Sequence, residues 1–379
     1  MPDAAPDRTP FPPIATLADL VATVARVAPD RPALVLGDET MTYGALERDI
    51  ARAAGGLAAL GVAHGERVAL LLPNGPEFVV AFCATMRLGA IVVPVNTLYR
   101  GEEIAYLLAD SGAIALVSHA AFAEHVAAAR PDAPALRHHI VVGADAPGGA
   151  HPWPALLDRA GTCPSVPVAP DDVAIICYTS GTTGRAKGAM LTHRNLVAVH
   201  RALDQTPRLG YVPQDRVLCP LPLFHIFGLN GGMAHTLARG ATLYLTGRFD
   251  PGVVLALLAE ARITVFLGAP PIYVAFTMLP DLAQYDLAAL RVCVSGAAPL
   301  PVAVLERFRA VTGVAIMEGY GLTETATIGT LNAAGPVDKP GTVGPAISGV
   351  RLRLVDEGGR DGHCQVKPFR RRRRSESGE

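Results

Sequence analysis

Short apolar runs alternate along the chain with longer segments whose apolar residues recur every three to four positions. The runs at 68–72, 90–95, 115–118, 140–142, 173–178, 217–221, 242–245, 264–267, 291–295 and 314–318 predict buried strands. Between them the periodicity predicts helices over 42–60, 76–88, 192–203 and 300–312. Thr42 and Thr192 stand where an N-cap is needed, and Gly61 and Gly313 where a helix stops. Strands alternating with helices favour parallel crossovers, so the pattern predicts an α/β protein of layered, mostly parallel sheets flanked by helices. Ligands are then expected at the carboxyl ends of strands. Two stretches interrupt the rhythm. Residues 143–171 are rich in Ala, Pro and Gly and read either as a join between two sub-structures or as a surface excursion; beyond Val355 the apolar rhythm stops. The expected division is a flexible 1–15, a body at 16–355 and an atypical tail at 356–379.

Composition narrows the class. The chain has 379 residues, half of them hydrophobic and 18% charged, which excludes a disordered or fibrous chain. It holds 33 basic and 34 acidic residues, but residues 361–379 alone carry Lys367 and Arg370 to Arg374 against Asp361, Glu376 and Glu379, so the body is mildly acidic. Such a body argues against a broad nucleic-acid or anionic-membrane surface, which needs a basic face. No nucleic-acid partner is expected, and at most peripheral membrane association. The six cysteines form no C-x-x-C pair, so zinc is not expected. The first residues lack the basic start and apolar stretch of a signal peptide, and the longest apolar stretches fall short of a span, so a cytoplasmic location is expected. A homodimer is possible.

Chemistry concentrates where strands end. Residues 175–178 run into Thr179-Ser-Gly-Thr-Thr-Gly-Arg-Ala-Lys187, a loop of small and hydroxyl residues. Gly181, Gly184 and Gly188 let backbone N–H groups converge on an anion; Thr179, Ser180, Thr182 and Thr183 add hydroxyls, and Lys187 adds charge. This is chemistry for triphosphate oxygens, though it matches neither the Walker A loop nor the G-x-G-x-x-G fingerprint. A helix capped near Thr192 is expected to follow it.

Three further clusters complete the set. Ser295-Gly-Ala-Ala-Pro299 ends a strand with backbone almost bare of side chains at Gly296, Ala297 and Ala298, against which a flat ring could lie. Taken alone, this is also an ordinary strand-to-helix connection. In Glu318-Gly-Tyr-Gly-Leu-Thr-Glu324, Gly319 and Gly321 leave the Tyr320 ring free to stack, Thr323 supplies a hydroxyl and Glu324 a hard oxygen ligand suited to Mg²⁺. The bland alternatives are packing for Tyr320 and a first-turn acid for Glu324. Pro220-Leu-Pro-Leu-Phe-His-Ile-Phe-Gly-Leu229 makes a stiff apolar wall whose titratable member is His225, by default a satisfied core histidine.

In this order the four segments resemble the adenylate-forming acyl-CoA synthetase superfamily, and the Leu221 to Gly228, Thr42 to Leu46 and Leu71 to Gly75 segments look most like bacterial long-chain fatty-acid-CoA ligases. Tyr178 to Gly188 matches the phosphate loop of that superfamily, with Ala186 where Pro is usual. The resemblance implies the large N-terminal domain of the acyl-adenylate-forming fold. It further implies that Thr179 to Gly184 and Lys187 hold phosphates, and that Gly296 to Ala298 and Glu318 to Gly321 line the adenine pocket with Tyr320 on the ring. Thr323 would meet the α-phosphate, Glu324 with Thr179 would hold Mg²⁺, and His225 would gate the acid pocket. The implied reaction joins a fatty or other carboxylic acid to ATP, giving acyl-AMP, and then transfers the acyl group to CoA.

The pattern departs from the superfamily near the end. No ribose-binding Asp, hinge or small domain with its Lys is recognisable after Asp356, which implies impaired turnover. The arginine run reads as a solvated tail, a nucleic-acid- or membrane-binding tail, or the product of a shifted reading frame. The functional alternatives are a non-catalytic nucleotide- or acyl-binding remnant and another kind of carboxylate-adenylating enzyme.

Overall fold

A computed structural model describes residues 11–143, 146–159, 163–179, 185–206, 209–332, 339–353 and 355. Its strands form two sheets. The first has seven strands in the spatial order His151–Pro152, His138–Val142, Ala115–His119, Arg67–Leu71, Ile91–Pro94, Val173–Thr179 and Lys187–Thr192. All of its neighbours pair parallel except the last two, which form an antiparallel hairpin. The second has eight, in the order Thr330–Leu331, Met317–Tyr320, Val292–Ser295, Val265–Gly268, Arg216–Leu218, Thr242–Leu245, Pro32–Leu36 and Glu39–Thr42. Antiparallel pairs occur only at its two edges.

Central strands are buried on both faces, which is why they read as unbroken Val, Leu and Ala runs. Two helices join the sheets. Tyr43–Ala59 starts where Thr42 Oγ1 accepts from the Ala45 N–H at 3.2 Å, and it packs against Pro32–Leu36 of the second sheet. Pro76–Arg87 lies on the first sheet and against that helix; Phe78 through Met86 are all buried, as expected of a helix apolar on every side. One apolar core therefore runs from sheet to sheet. In the stretch at 143–171, Trp153 and Leu156 join that core, and Leu156 packs so closely on Gly56 that a Cβ there would lie 2.3 Å from its carbonyl oxygen.

Several elements differ from the sequence expectation. The strand expected at 314–318 is Met317–Tyr320, the one at 217–221 is Arg216–Leu218, and the last predicted helix begins at Val302. The expected loop-to-helix passage after Lys187 contains a strand, Lys187–Thr192, before the helix His193–Gln205. Its Thr192 cap is present: Thr192 Oγ1 accepts from the Asn195 N–H at 3.2 Å. Phe227–Ala234 is a π-helix, an element the periodicity did not suggest. Among the described residues no helix is long and apolar enough to cross a membrane. The expectations for Ser180, Gly181, Thr182, Thr183 and Gly184, and for the tail from 356, fall outside the described residues.

Candidate functional site

The arms of the phosphate-loop segment are the hairpin at the edge of the first sheet. Antiparallel pairing sets Thr179 opposite Lys187, so the two side chains stand side by side on one face at the mouth of the loop. Lys187 is exposed and makes no ion pair among the described residues. The arms are fastened from beneath by the helix Gly101–Ser111. Tyr106 donates its hydroxyl to the Ala186 carbonyl at 2.8 Å, and its ring lies 5.6 Å under the Arg185 guanidinium. Tyr178 donates to Asp110 at 2.6 Å, and burial together with that carboxylate raises its pKa, so the phenol keeps its proton. Backbone and ring contacts thus hold the loop entrance, and none of them engages the Lys187 ammonium.

The other half is a cleft at the carboxyl ends of Val292–Ser295 and Met317–Tyr320, two adjacent parallel strands of the second sheet. Its volume is ≈ 220 Å³, and its walls include His225, Phe227, Gly296, Ala297, Gly319, Tyr320, Gly321, Thr323 and Thr327. Here the missing side chains matter. A Cβ on Gly321 would lie 1.9 Å from the Thr327 carbonyl oxygen, and one on Gly296 would meet the Phe227 ring at 3.0 Å. Three of the four non-glycine residues with positive φ among the described residues flank this cleft: Ala297 at +73°, Ala326 at +55° and Thr327 at +141°. Such backbone is costly for residues with a Cβ and tends to concentrate at functional sites. Tyr320 is 48% exposed, leaving its ring open to a stacking partner.

Two expected pocket residues are not in the cleft wall. Glu318 is 5% exposed, and its carboxylate accepts from the backbone N–H groups of Leu300 and Gly341, both at 3.2 Å. Both carboxylate oxygens are thus engaged inside the fold, so the side chain braces the strand against two segments instead of lining the cleft. Ala298 is likewise absent from the wall, which Gly296 and Ala297 form. Ala269 and Phe224 line a separate cavity of ≈ 540 Å³.

His225 is the hinge between the halves. It lines the cleft and also a smaller adjoining cavity of ≈ 90 Å³ that it shares with Tyr178, Phe224, Thr323, Asn96 and Tyr99. Part of its ring is exposed to solvent, while the apolar walls around the rest lower its pKa and keep it neutral near pH 7. The segment before it is held by Asn74, which donates to the Leu221 carbonyl at 2.9 Å and accepts from the Leu223 N–H at 2.8 Å. The short turn Thr323–Thr325 packs against Lys187–Thr192, bringing Thr323 and Glu324 to the hairpin. Glu324 is exposed and makes no hydrogen bond or ion pair among the described residues.

This donor set fits a magnesium ion bound through a nucleotide. No three His, Cys, Asp or Glu side chains gather around a common point among the described residues. A divalent ion held by the exposed Glu324 carboxylate, with help from Thr179, would need phosphate oxygens and water to complete its shell, as Mg²⁺ usually does.

The AMP-binding enzyme family model matches residues 21–367. The chain belongs to that family. A 4-coumarate–CoA ligase of Pinus taeda is 36% identical over 346 residues, which cover 86% of this chain and 62% of the relative. A feruloyl-CoA synthase of Amycolatopsis is 36% identical over 336 residues, covering 88% and 65%. This AMP-binding chain thus spans less than two thirds of those relatives. In structure it superposes on an anthranilate CoA ligase in complex with anthranoyl-AMP with a TM-score of 0.85 at 30% identity, covering 93% of this chain and 68% of that one. The inhibitor-bound N-terminal domain of FACL13 from Mycobacterium tuberculosis gives 0.84 at 31% identity, covering 92% and 86%. The fold is therefore the N-terminal domain of adenylate-forming ligases.

Phe227 and Thr327 line the cleft without having stood out in the sequence. The signal for Phe227 was its place two residues after His225 in the apolar wall, and Thr327 carried none.

Proposed function

We propose that the site binds ATP and a carboxylic acid, joins them as acyl-AMP with release of pyrophosphate, and presents the acyl group to CoA. One observation carries this reading: hairpin and cleft meet, with Tyr178 of the hairpin and His225 and Thr323 of the cleft wall around one cavity, so the strand that leads into the loop sequence borders the flat, bare-backboned slot. Lys187 and the loop amides would hold the phosphates, and Gly296, Ala297 and Tyr320 would bracket the adenine. The Thr323 hydroxyl would meet the α-phosphate beside the acid carboxylate, with neutral His225 at the acid's entrance. Mg²⁺ would neutralise phosphate charge there. No covalent enzyme intermediate is needed; the site acts by alignment and charge stabilisation.

The acid we infer is compact and ring-bearing. Relatives named for 4-coumarate and ferulate, and a structural neighbour holding anthranoyl-AMP, support such an acid. A long-chain fatty acid is the second reading, from the likeness of the segments at 221–228, 42–46 and 71–75 to fatty-acid-CoA ligases. The test is Mg²⁺- and acid-dependent ATP–pyrophosphate exchange across a panel of aryl and fatty acids, with Lys187→Ala and Glu324→Ala as controls. Exchange fastest with aryl acids supports the first reading, and exchange fastest with long fatty acids the second. Nucleotide binding without exchange above the controls shows a binding remnant.

A further inference from the structure

Behind the cleft lies a buried polar group with no part in the reaction just described. Asn230 sits within the π-helix Phe227–Ala234 and is fully buried. Its Nδ2 donates to the Ala326 carbonyl at 2.8 Å and the Leu196 carbonyl at 3.3 Å. Its Oδ1 lies 2.9 Å from His200 Nε2. An amide oxygen only accepts, so His200 carries its proton on Nε2. Burial, with His235 and Arg239 nearby, holds the pKa of His200 well below the usual range, and its Nδ1 has no partner, so the ring is neutral. Every polar atom of the Asn230 side chain is therefore committed, in one orientation.

What matters is where the three partners lie. Leu196 and His200 belong to His193–Gln205, the helix that continues directly from the hairpin strand carrying Lys187. The π-helix itself begins at Phe227, two residues after His225. Ala326 closes the turn Thr323–Thr325, its left-handed backbone at φ +55° and its N–H bonded to the Thr323 carbonyl at 2.9 Å. The next residue makes a second tie, Thr327 Oγ1 donating to the Ile226 carbonyl at 3.2 Å. A π-helix often marks a functional site because its extra residue re-aims side chains. Here the widened turn places one amide where three segments meet, each leading to a different part of the site.

We propose that Asn230 is a positioning residue that holds the Thr323–Glu324 turn in register with the hairpin helix and the His225–Phe227 wall, with His200 fixing its amide. This rests on the reading above that Thr323 and Glu324 serve the α-phosphate and its metal. A register defect misaligns reacting groups more than it weakens binding. Asn230→Ala should therefore lower kcat of acid-dependent pyrophosphate exchange at least tenfold while KM for ATP changes less than threefold. His200→Gln, whose amide can still donate to Asn230, should keep kcat within about threefold, whereas His200→Leu should lower it like Asn230→Ala. Amide hydrogen exchange on the free protein provides a second readout that does not depend on activity. In Asn230→Ala and His200→Leu, the amides of residues 326–329 should exchange at least tenfold faster, while those of Ala115–His119 stay unchanged. If the wild-type chain shows no pyrophosphate exchange, the functional reading fails and the amide-exchange pattern alone decides the positioning role. Unchanged exchange at 326–329 in the folded variants overturns the proposal, as does a loss in His200→Gln equal to that in His200→Leu. If Asn230→Ala does not fold, the His200 pair decides.

Discussion

The phosphate-loop hairpin hangs from the edge of the first sheet, where Lys187–Thr192 has a strand neighbour on one side, whereas the cleft wall is set into the second sheet, where Val292–Ser295 is flanked on both. In the hairpin the working groups are side chains: Lys187 and Thr179 reach outward from a ribbon that keeps its pairing whatever they are. In the wall the working feature is absence, since Gly296, Gly319 and Gly321 leave room that backbone and rings would otherwise contest. Function and stability should therefore separate in the first region and coincide in the second.

The largest expected effect tests that separation. Lys187 is exposed and makes no ion pair among the described residues, so Lys187→Ala should leave stability within about 0.5 kcal/mol. It should still cost about 10²–10³-fold in pyrophosphate exchange, the usual loss when a preorganised charge-stabilising group is removed. A thermal melt and the exchange assay on the same sample check both. A variant that is destabilised as well as inactive would break the distinction. Gly321→Ala should do what Lys187→Ala does not. The new methyl would meet the Thr327 carbonyl oxygen at 1.9 Å and the Ile328 Cα at 2.6 Å, both backbone atoms that no rotamer change can clear. A stability loss of about 3 kcal/mol is expected in denaturant unfolding, together with lost activity. By comparison Gly188, in the hairpin, faces the Ile176 and Tyr178 side chains at 2.7 and 3.2 Å, which can shift, so Gly188→Ala should cost less.

The same contrast explains what could be read from the sequence. Buried parallel strands such as Arg67–Leu71 and Ala115–His119 announce themselves, because burial on both faces demands an unbroken apolar run. The edge strand Lys187–Thr192 does not: Met190 is 66% exposed, and its mixed pattern looks like loop. Glu318 was expected at the pocket from its place beside Gly319 and Tyr320, whereas its carboxylate is held by Leu300 and Gly341, 18 and 23 residues away, a pairing no local pattern reveals. Asn230 was hidden for another reason. Its π-helix reads Phe-Gly-Leu-Asn-Gly-Gly-Met-Ala, without helical periodicity, and its partners lie 30, 34 and 96 residues away in sequence.

Glu318 also sharpens the comparison as an internal control within the cleft region. Its carboxylate holds two backbone N–H groups from separate segments, so Glu318→Ala should strand the buried Leu300 donor, free the exposed Gly341 one to water, and cost about 1–2 kcal/mol. Glu318→Gln keeps one acceptor and should cost less. Because the carboxylate does not line the cleft, the remaining folded Glu318→Gln should bind nucleotide as the parent does. Weakened binding, by calorimetry at a temperature where both are folded, would return Glu318 to the pocket.

Acid brings out a smaller difference, on the hairpin's own helix. His193 follows the Thr192 cap and is 1% exposed, and its Nδ1 accepts from the Leu17 N–H at 3.1 Å, tying the hairpin to the N-terminal turn Leu17–Asp19. Burial pushes its pKa down to about 4 from an ordinary 6.5. The unfolded chain therefore takes up a proton that the folded one refuses. Stability from this group is complete above about pH 6.5 and falls as pH drops towards 4, by about 1 kcal/mol between pH 7 and pH 5.5. His193→Asn can keep an acceptor near the Nδ1 position but does not titrate there, so its unfolding free energy should fall less steeply over that interval by the same amount. The comparison requires the loss to be one of anchoring, so nucleotide affinity at pH 5.5 should be alike in the two folded proteins. If His193→Asn keeps the full acid sensitivity, the hairpin's tie to the N-terminal turn is not what acid attacks, and the buried histidine of the cleft side, His200, becomes the group to replace next.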